Sequence, residues 1–166
     1  MSLTTQSIKT AAPNGLLSVA VSIVVSLAVG GIGGLVTASS VTTWYTGLIK
    51  PPFNPPNAVF GPVWTTLYVL MALAAWRVWR TGPIARRPGL ILYAVQLALN
   101  LAWSLFFFGL RQPAIALAEI ALLFAAVVAT GVAFWRTDRA AGVMMIPYAA
   151  WVAFASVLNF EIWRLN

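Results

Sequence analysis

The chain has 166 residues, 61% of them hydrophobic and 8% charged, with ten Lys and Arg against three Asp and Glu for a formal charge of +7. A soluble domain carries roughly 45–50% apolar and about 25% charged residues, so a mean hydropathy of +0.89 excludes a water-facing fold and leaves an all-α integral membrane protein. With neither Cys nor His, disulfides, thiolate chemistry, zinc sites, Ser-His-Asp systems and histidine-ligated haem are excluded by inventory, and no metal site is expected.

Residues 1–15 read as an N-terminal tail and 16–166 as a single domain, because almost no polar surface remains to solvate a second module. Leu16 to Ala38 is an uncharged apolar run longer than the about 20 residues that a spanning helix needs. It exceeds the ~7–15-residue core of a signal peptide, and no polar mature domain follows it. Next comes "KPPFNPP", Lys50 to Pro56, four prolines in seven residues between Trp44 and Trp64. Proline lacks an N–H and fixes φ, so the segment has few donors to satisfy and loses little entropy on ordering. It is expected to form a stiff lid between the first two helices.

Val59 to Val78 is the second span, closed by an Arg-rich stretch in which Trp76 and Trp79 read as interfacial anchors. Leu90 to Leu110 is the third span. Pro113 opens the fourth, Ala114 to Trp135, since proline is tolerated in a first helical turn. Ala141 to Trp163 is the fifth, with Pro147 inside it. The expected architecture is a five-transmembrane-helix bundle.

The basic residues lie in short inter-helix stretches rather than in one patch, which argues for topogenic charge and against nucleic acid as a partner. Lys9, Arg77, Arg80, Arg86, Arg87, Arg136 and Arg139 fall on one side, and Lys50, Arg111 and Arg164 on the other. For a multi-pass protein inserted into a bacterial cell membrane, the expected location, the positive-inside rule predicts a cytoplasmic N-terminus.

Polar and aromatic residues recur on helical faces. Phe60, Trp64 and Tyr68 are four apart and form one ridge. Gln96, Asn100 and Trp103 share a face of the third span, and Tyr148, Trp151, Ala155, Leu158 and Asn159 one of the fifth. For Trp103, Trp151, Asn100 and Gln96, core packing and a ligand face both stay open. Gly30 and Gly34 in "GGIGG", and Ala94, Ala98 and Ala102, suggest close helix contact, within the bundle or in a dimer. Asp138 is expected as a solvated loop charge, Glu119 as a group that snorkels or pairs with Arg111, and Glu161 as the local partner of Arg164.

Three stretches, "WYTGLIKPPFNPPNAVFGPVWTTLYVLM", "ALNLAWSLFFFG" and "PYAAWVAFASVLNFEIWRLN", together resemble the tryptophan-rich sensory protein and translocator protein family, TspO/MBR. The resemblance runs from about Trp44 to the C-terminus. It implies a five-helix membrane receptor or translocator, commonly a homodimer in the lipid bilayer, that binds porphyrins such as protoporphyrin IX and haem. In many members it also implies cholesterol and benzodiazepine-type ligands. Carried over, the pocket comprises Tyr45, Pro55, Phe60, Trp64, Tyr68, Asn100, Trp103, Trp151, Ala155 and Leu158, with porphyrin or haem as ligand and no required cofactor. The resemblance further implies that Trp64 and Trp151 would be the catalytic pair if porphyrin is degraded in light and oxygen. It also makes Leu158, Phe160 and Arg164 a sterol-motif-like stretch, with Phe160 where the motif has tyrosine. An enzyme or a secondary transporter are the alternatives to a receptor.

Overall fold

A computed structural model describes residues 15–166; residues 1–14 of the expected N-terminal tail, Lys9 among them, lie outside the described residues, and Gly15 already belongs to the first helix. The helices are α1 (Gly15–Val41), α2 (Asn57–Trp79), α3 (Pro83–Ser104), α4 (Pro113–Thr137) and α5 (Arg139–Leu165), with a short 3₁₀ turn at Tyr45–Gly47. Five helical segments, Gly15–Val41, Asn57–Trp79, Pro83–Gly109, Pro113–Thr137 and Arg139–Leu165, are long and apolar enough to cross a membrane. The protein is thus a multi-pass membrane protein whose five helices coincide with the five expected spans.

The boundaries differ from expectation where charge and proline disguise helix. α3 begins at Pro83 rather than Leu90, because Pro83 occupies the first turn behind Gly82, where its missing N–H is no loss. The early start lets Arg86 reach back over the Trp79 ring at 4.0 Å and donate to the Trp79 carbonyl at 2.7 Å, which satisfies the end of α2. At its other end α3 runs into a π turn, Leu105–Gly109, where Leu110 N–H donates to the Leu105 carbonyl at 2.7 Å. Arg111 follows in the left-handed region at φ 55° and redirects the chain into α4.

α4 and α5 are joined by Asp138 alone. Rather than a solvated loop charge, Asp138 accepts the Ala141 N–H at 3.1 Å as the α5 N-cap and pairs with Arg77 at 2.9 Å. Burial alone would raise its carboxyl, but the Arg77 hydrogen bond and the capping N–H groups outweigh this and hold it below the usual carboxylate value. The tight turn presses Gly142 on Trp135, where an added Cβ would stand 2.6 Å from Trp135 Cβ and 2.7 Å from its Cα. This is the closest approach to another helix's backbone that the glycines record, and glycine permits it.

The main core fills the space between α2, α3, α4 and α5, around Met71, Val78, Ile120, Leu123, Phe134, Met145 and Tyr148. α1 is different: only Ser26, Gly33 and Ser40 are buried on it. Hydroxyls at four-residue spacing pin it. Ser18 accepts from the Trp76 indole at 3.0 Å, Ser22 donates to the Ala72 carbonyl at 2.8 Å, and Ser26 meets the Tyr93 hydroxyl at 2.6 Å. Further along, Ser40 donates to the Phe108 carbonyl at 2.8 Å. Gly30 receives the edge of the Tyr68 ring, whereas Gly34 faces open space.

Glu161 and Arg164 do pair, at 2.6 Å. Glu119 neither snorkels nor pairs with Arg111: it is 6% exposed, and neither carboxyl oxygen has a hydrogen-bond partner among the described residues. It lies on the face of α4 that turns inward with Ala116 and Leu123, which points it into the bundle rather than toward Arg111 or solvent.

Candidate functional site

A cavity of about 460 Å³ lies between α1, α2 and α3. One wall is the α2 ridge of Phe60, Trp64 and Tyr68, and another is Asn100, Trp103 and Ser104 of α3 with Phe108 of the π turn. The third is the small-residue face of α1, chiefly Gly30, Gly33, Gly34 and Thr37, and Tyr45 contributes from the 3₁₀ turn. Gly31 and Gly34 of α1 and Gly61 and Thr65 of α2 line it and are exposed. The cavity therefore opens sideways between these two helices.

The polar end is fixed by a buried network. The Tyr68 hydroxyl donates to Asn100 Oδ1, and Asn100 Nδ2 donates to the Tyr148 hydroxyl at 3.0 Å. Because both amide ends of Asn100 are engaged, the Tyr68 ring is held against Gly30 and shapes the cavity floor. Trp103 is held as firmly: its indole N–H donates to Asn159 Oδ1 at 3.0 Å, and Asn159 Nδ2 donates to the Pro113 carbonyl at 2.9 Å. Its ring stacks on Phe107 with centroids 5.2 Å apart, an arrangement worth about 0.5–1.5 kcal/mol beyond area. The π turn packs Phe107 and Phe108 edge-on against each other at 4.8 Å, and Phe108 also meets Trp103 edge-on at 88°.

Trp64 contrasts with Trp103. It leans on Tyr68 at 5.9 Å and meets Tyr148 edge-on at 6.2 Å, but its indole N–H has no protein acceptor among the described residues. It is half-buried on the cavity wall, where an indole donor remains available.

The cavity thus brings together Tyr45, Phe60, Trp64, Tyr68, Asn100 and Trp103 of the sequence-derived set. It does not bring in Pro55, Trp151, Ala155 or Leu158. Trp151 stands behind Phe60, edge-on at 5.9 Å, and against Phe154 at 5.4 Å; its N–H is buried without a partner among the described residues. Leu158 packs under Tyr45 and Phe107, and Ala155 belongs to the main core. Gln96 faces Met71 in the core at 3.8 Å rather than the cavity. Phe160 is exposed beside Trp163 while Leu158 is buried, so the sterol-like residues do not share one face.

The α1 wall was not foreseen, although "GGIGG" carried the signal: glycine makes room for a ligand as readily as for a helix. The proline segment caps one end of the bundle. Tyr45 donates its hydroxyl to Asn54 Oδ1 at 2.9 Å, and Asn54 N–H closes a turn on the Pro51 carbonyl at 3.0 Å. Burial raises the Tyr45 phenol above its usual value, partly offset by the Asn54 bond, so it stays a donor through neutral pH. Lys50 folds over the Tyr45 ring at 4.7 Å and donates to the Leu48 carbonyl at 3.1 Å. Asn166, after the last turn of α5, bonds both the N–H and the carbonyl of Ile49, at 2.9 and 3.0 Å.

The family model of the TspO/MBR family matches residues 22–164. The chain is 42% identical over 153 residues to a tryptophan-rich protein TspO of Chlorobaculum tepidum, covering 91% of this chain and 97% of that one. It is 44% identical over 126 residues to the translocator protein of Homo sapiens, covering 74% and 75%. To the tryptophan-rich sensory protein of Cereibacter sphaeroides it is 46% identical over 123 residues, covering 74% and 77%.

Proposed function

The chain belongs to the TspO/MBR family, and from that membership we propose that it is a membrane receptor or translocator for a planar anionic tetrapyrrole such as protoporphyrin IX or haem. The observation that carries the reading is the aromatic wall of Phe60, Trp64, Tyr68 and Trp103 around a cavity of about 460 Å³, within the ~300–1,000 Å³ of ordinary ligand sites. A macrocycle stacks on Trp103, already oriented by Phe107 and Asn159, and takes the free Trp64 N–H. Its carboxylates reach toward the lid, where Lys50 exchanges the Tyr45 ring for an ion pair. The ligand enters sideways between α1 and α2, where Gly31, Gly34, Gly61 and Thr65 present little bulk.

Titrating purified protein with protoporphyrin IX and following tryptophan fluorescence tests this. Saturable quenching at micromolar porphyrin, weakened about ten-fold in Trp103→Phe and less in Trp64→Phe, is expected; no quenching overturns it. Trp151, screened from the cavity by Phe60, favours binding over breakdown. The same titration under light and oxygen separates the two, since a new porphyrin product that depends on Trp64 and Trp151 would establish the enzyme. The end of the bundle with Arg77, Arg80, Arg86, Arg87, Arg136 and Arg139 faces the cytoplasm in this reading, and a reporter fused at Arg86 that signals from outside overturns that orientation.

A further inference from the structure

A second concavity, of about 300 Å³, runs along the outer seam of α4 and α5 and shares no residue with the ligand cavity. Its walls are Val128, Met145 and Ile146, and at one end stand Trp135 and Arg136. Two glycines make it a trough: Gly142 lets the helices meet at its floor, and at Gly131 a Cβ would reach only Met145 Cβ, at 3.5 Å. A flexible chain can therefore sink between the helices instead of lying across them.

Its dimensions match one leaflet. From Val127 to Arg136, a rise of 1.5 Å per residue gives about 14 Å, close to half of the ~30 Å hydrocarbon thickness. α4 has 25 residues and so exceeds that thickness at about 37 Å, which sets its last turn, with Arg136, at headgroup level. Arg136 is exposed and has no ion-pair partner among the described residues. The nearest carboxylate in sequence, Asp138, is taken by Arg77. Trp135 is 48% exposed, and its indole N–H has no protein acceptor among the described residues.

We propose that this trough binds an anionic phospholipid, with one acyl chain along Gly131 and Met145 and the phosphate on the Arg136 guanidinium and the Trp135 N–H. A guanidinium fork suits a phosphate, and a zwitterionic headgroup would bring its own cation up against Arg136, whereas Arg139 lies outside the trough.

Native mass spectrometry of the detergent-purified full chain tests the site, with equal phosphatidylglycerol and phosphatidylcholine of identical chains and a melting curve to verify each fold. The wild type is expected to retain phosphatidylglycerol preferentially. Arg136→Gln should lower the retained ratio about five-fold, the effect of one basic residue at an anionic surface. Gly131→Leu should abolish retention of both lipids, and Arg139→Gln should leave the ratio unchanged. Equal retention of the two lipids by the wild type, or an equal loss in Arg139→Gln and Arg136→Gln, overturns the site.

Discussion

The α1–α2 seam and the α4–α5 seam use the same small residues to different ends. At Gly142 an added Cβ would come within 2.6 Å of Trp135 Cβ and nearly as close to its backbone; at Gly30 it would also come within 2.6 Å, but of the Tyr68 ring edge. The first glycine locks two backbones together, whereas the second makes space for a side chain that forms the floor of a cavity. α1 then closes the cavity without filling it, because it is held by a few hydroxyl bonds and not by a continuous apolar face. Without a hydrophobic drive between helices in lipid, such point contacts and close approaches are what decide where a bundle is dense and where it is hollow.

The contrast can be broken from either side. The largest effect is expected for Gly142→Val, which forces bulk onto the Trp135 backbone and should cost about 3 kcal/mol, as severe overpacking does. Thermal melting in detergent would register it, and Gly30→Ala should melt much closer to the wild type while losing porphyrin affinity. Should Gly30→Ala prove the more destabilising, the two seams are not different in kind. Next, Asn100→Leu leaves the Tyr68 and Tyr148 hydroxyls unpaired, an expected loss of about 2 kcal/mol that Tyr68→Phe and Tyr148→Phe together should largely restore.

Ser26→Ala removes the Tyr93 partner and should destabilise by about 0.6–1 kcal/mol, the usual scale for hydrogen bonds between membrane helices. Its mark is faster hydrogen exchange confined to α1, with α4 and α5 unmoved. The smallest effect concerns pH. Because the folded Asp138 carboxyl lies below its unfolded value, its contribution is present above about pH 4 and is lost as pH falls through the folded value. In Asp138→Asn, which keeps the cap but not the charge, the acid limb of the melting profile should flatten below pH 4.

Much of this fold is legible in the sequence, because spans of continuous hydropathy must be helices when every backbone group has to be satisfied internally. The cavity was legible in part. The α2 ridge and the pair Asn100 and Trp103 are read from helical spacing, since spacing decides which side chains share a face. Spacing does not decide which helix faces which. Trp151 and Leu158 share a face with Tyr148 yet pack behind Phe60 and beneath Tyr45, and the wall opposite the ridge is α1, whose glycines have no side chains to advertise it. Asp138 was misread because a junction of one residue looks, in sequence, like any short charged loop. Glu119 was misread because its distance from the helix start says nothing about which way it turns.

The amide of Asn166 copies a backbone neighbour: it offers a donor to one side of the Ile49 peptide and an acceptor to the other. Only main-chain atoms of residue 49 take part, and the Ile49 side chain itself is 62% exposed. Position 49 is therefore a natural attachment point for a spectroscopic label. In a chain without cysteine, Ile49→Cys would carry a single fluorophore or spin probe, tethered to the cap over the bundle and indifferent to the identity of the side chain it replaced.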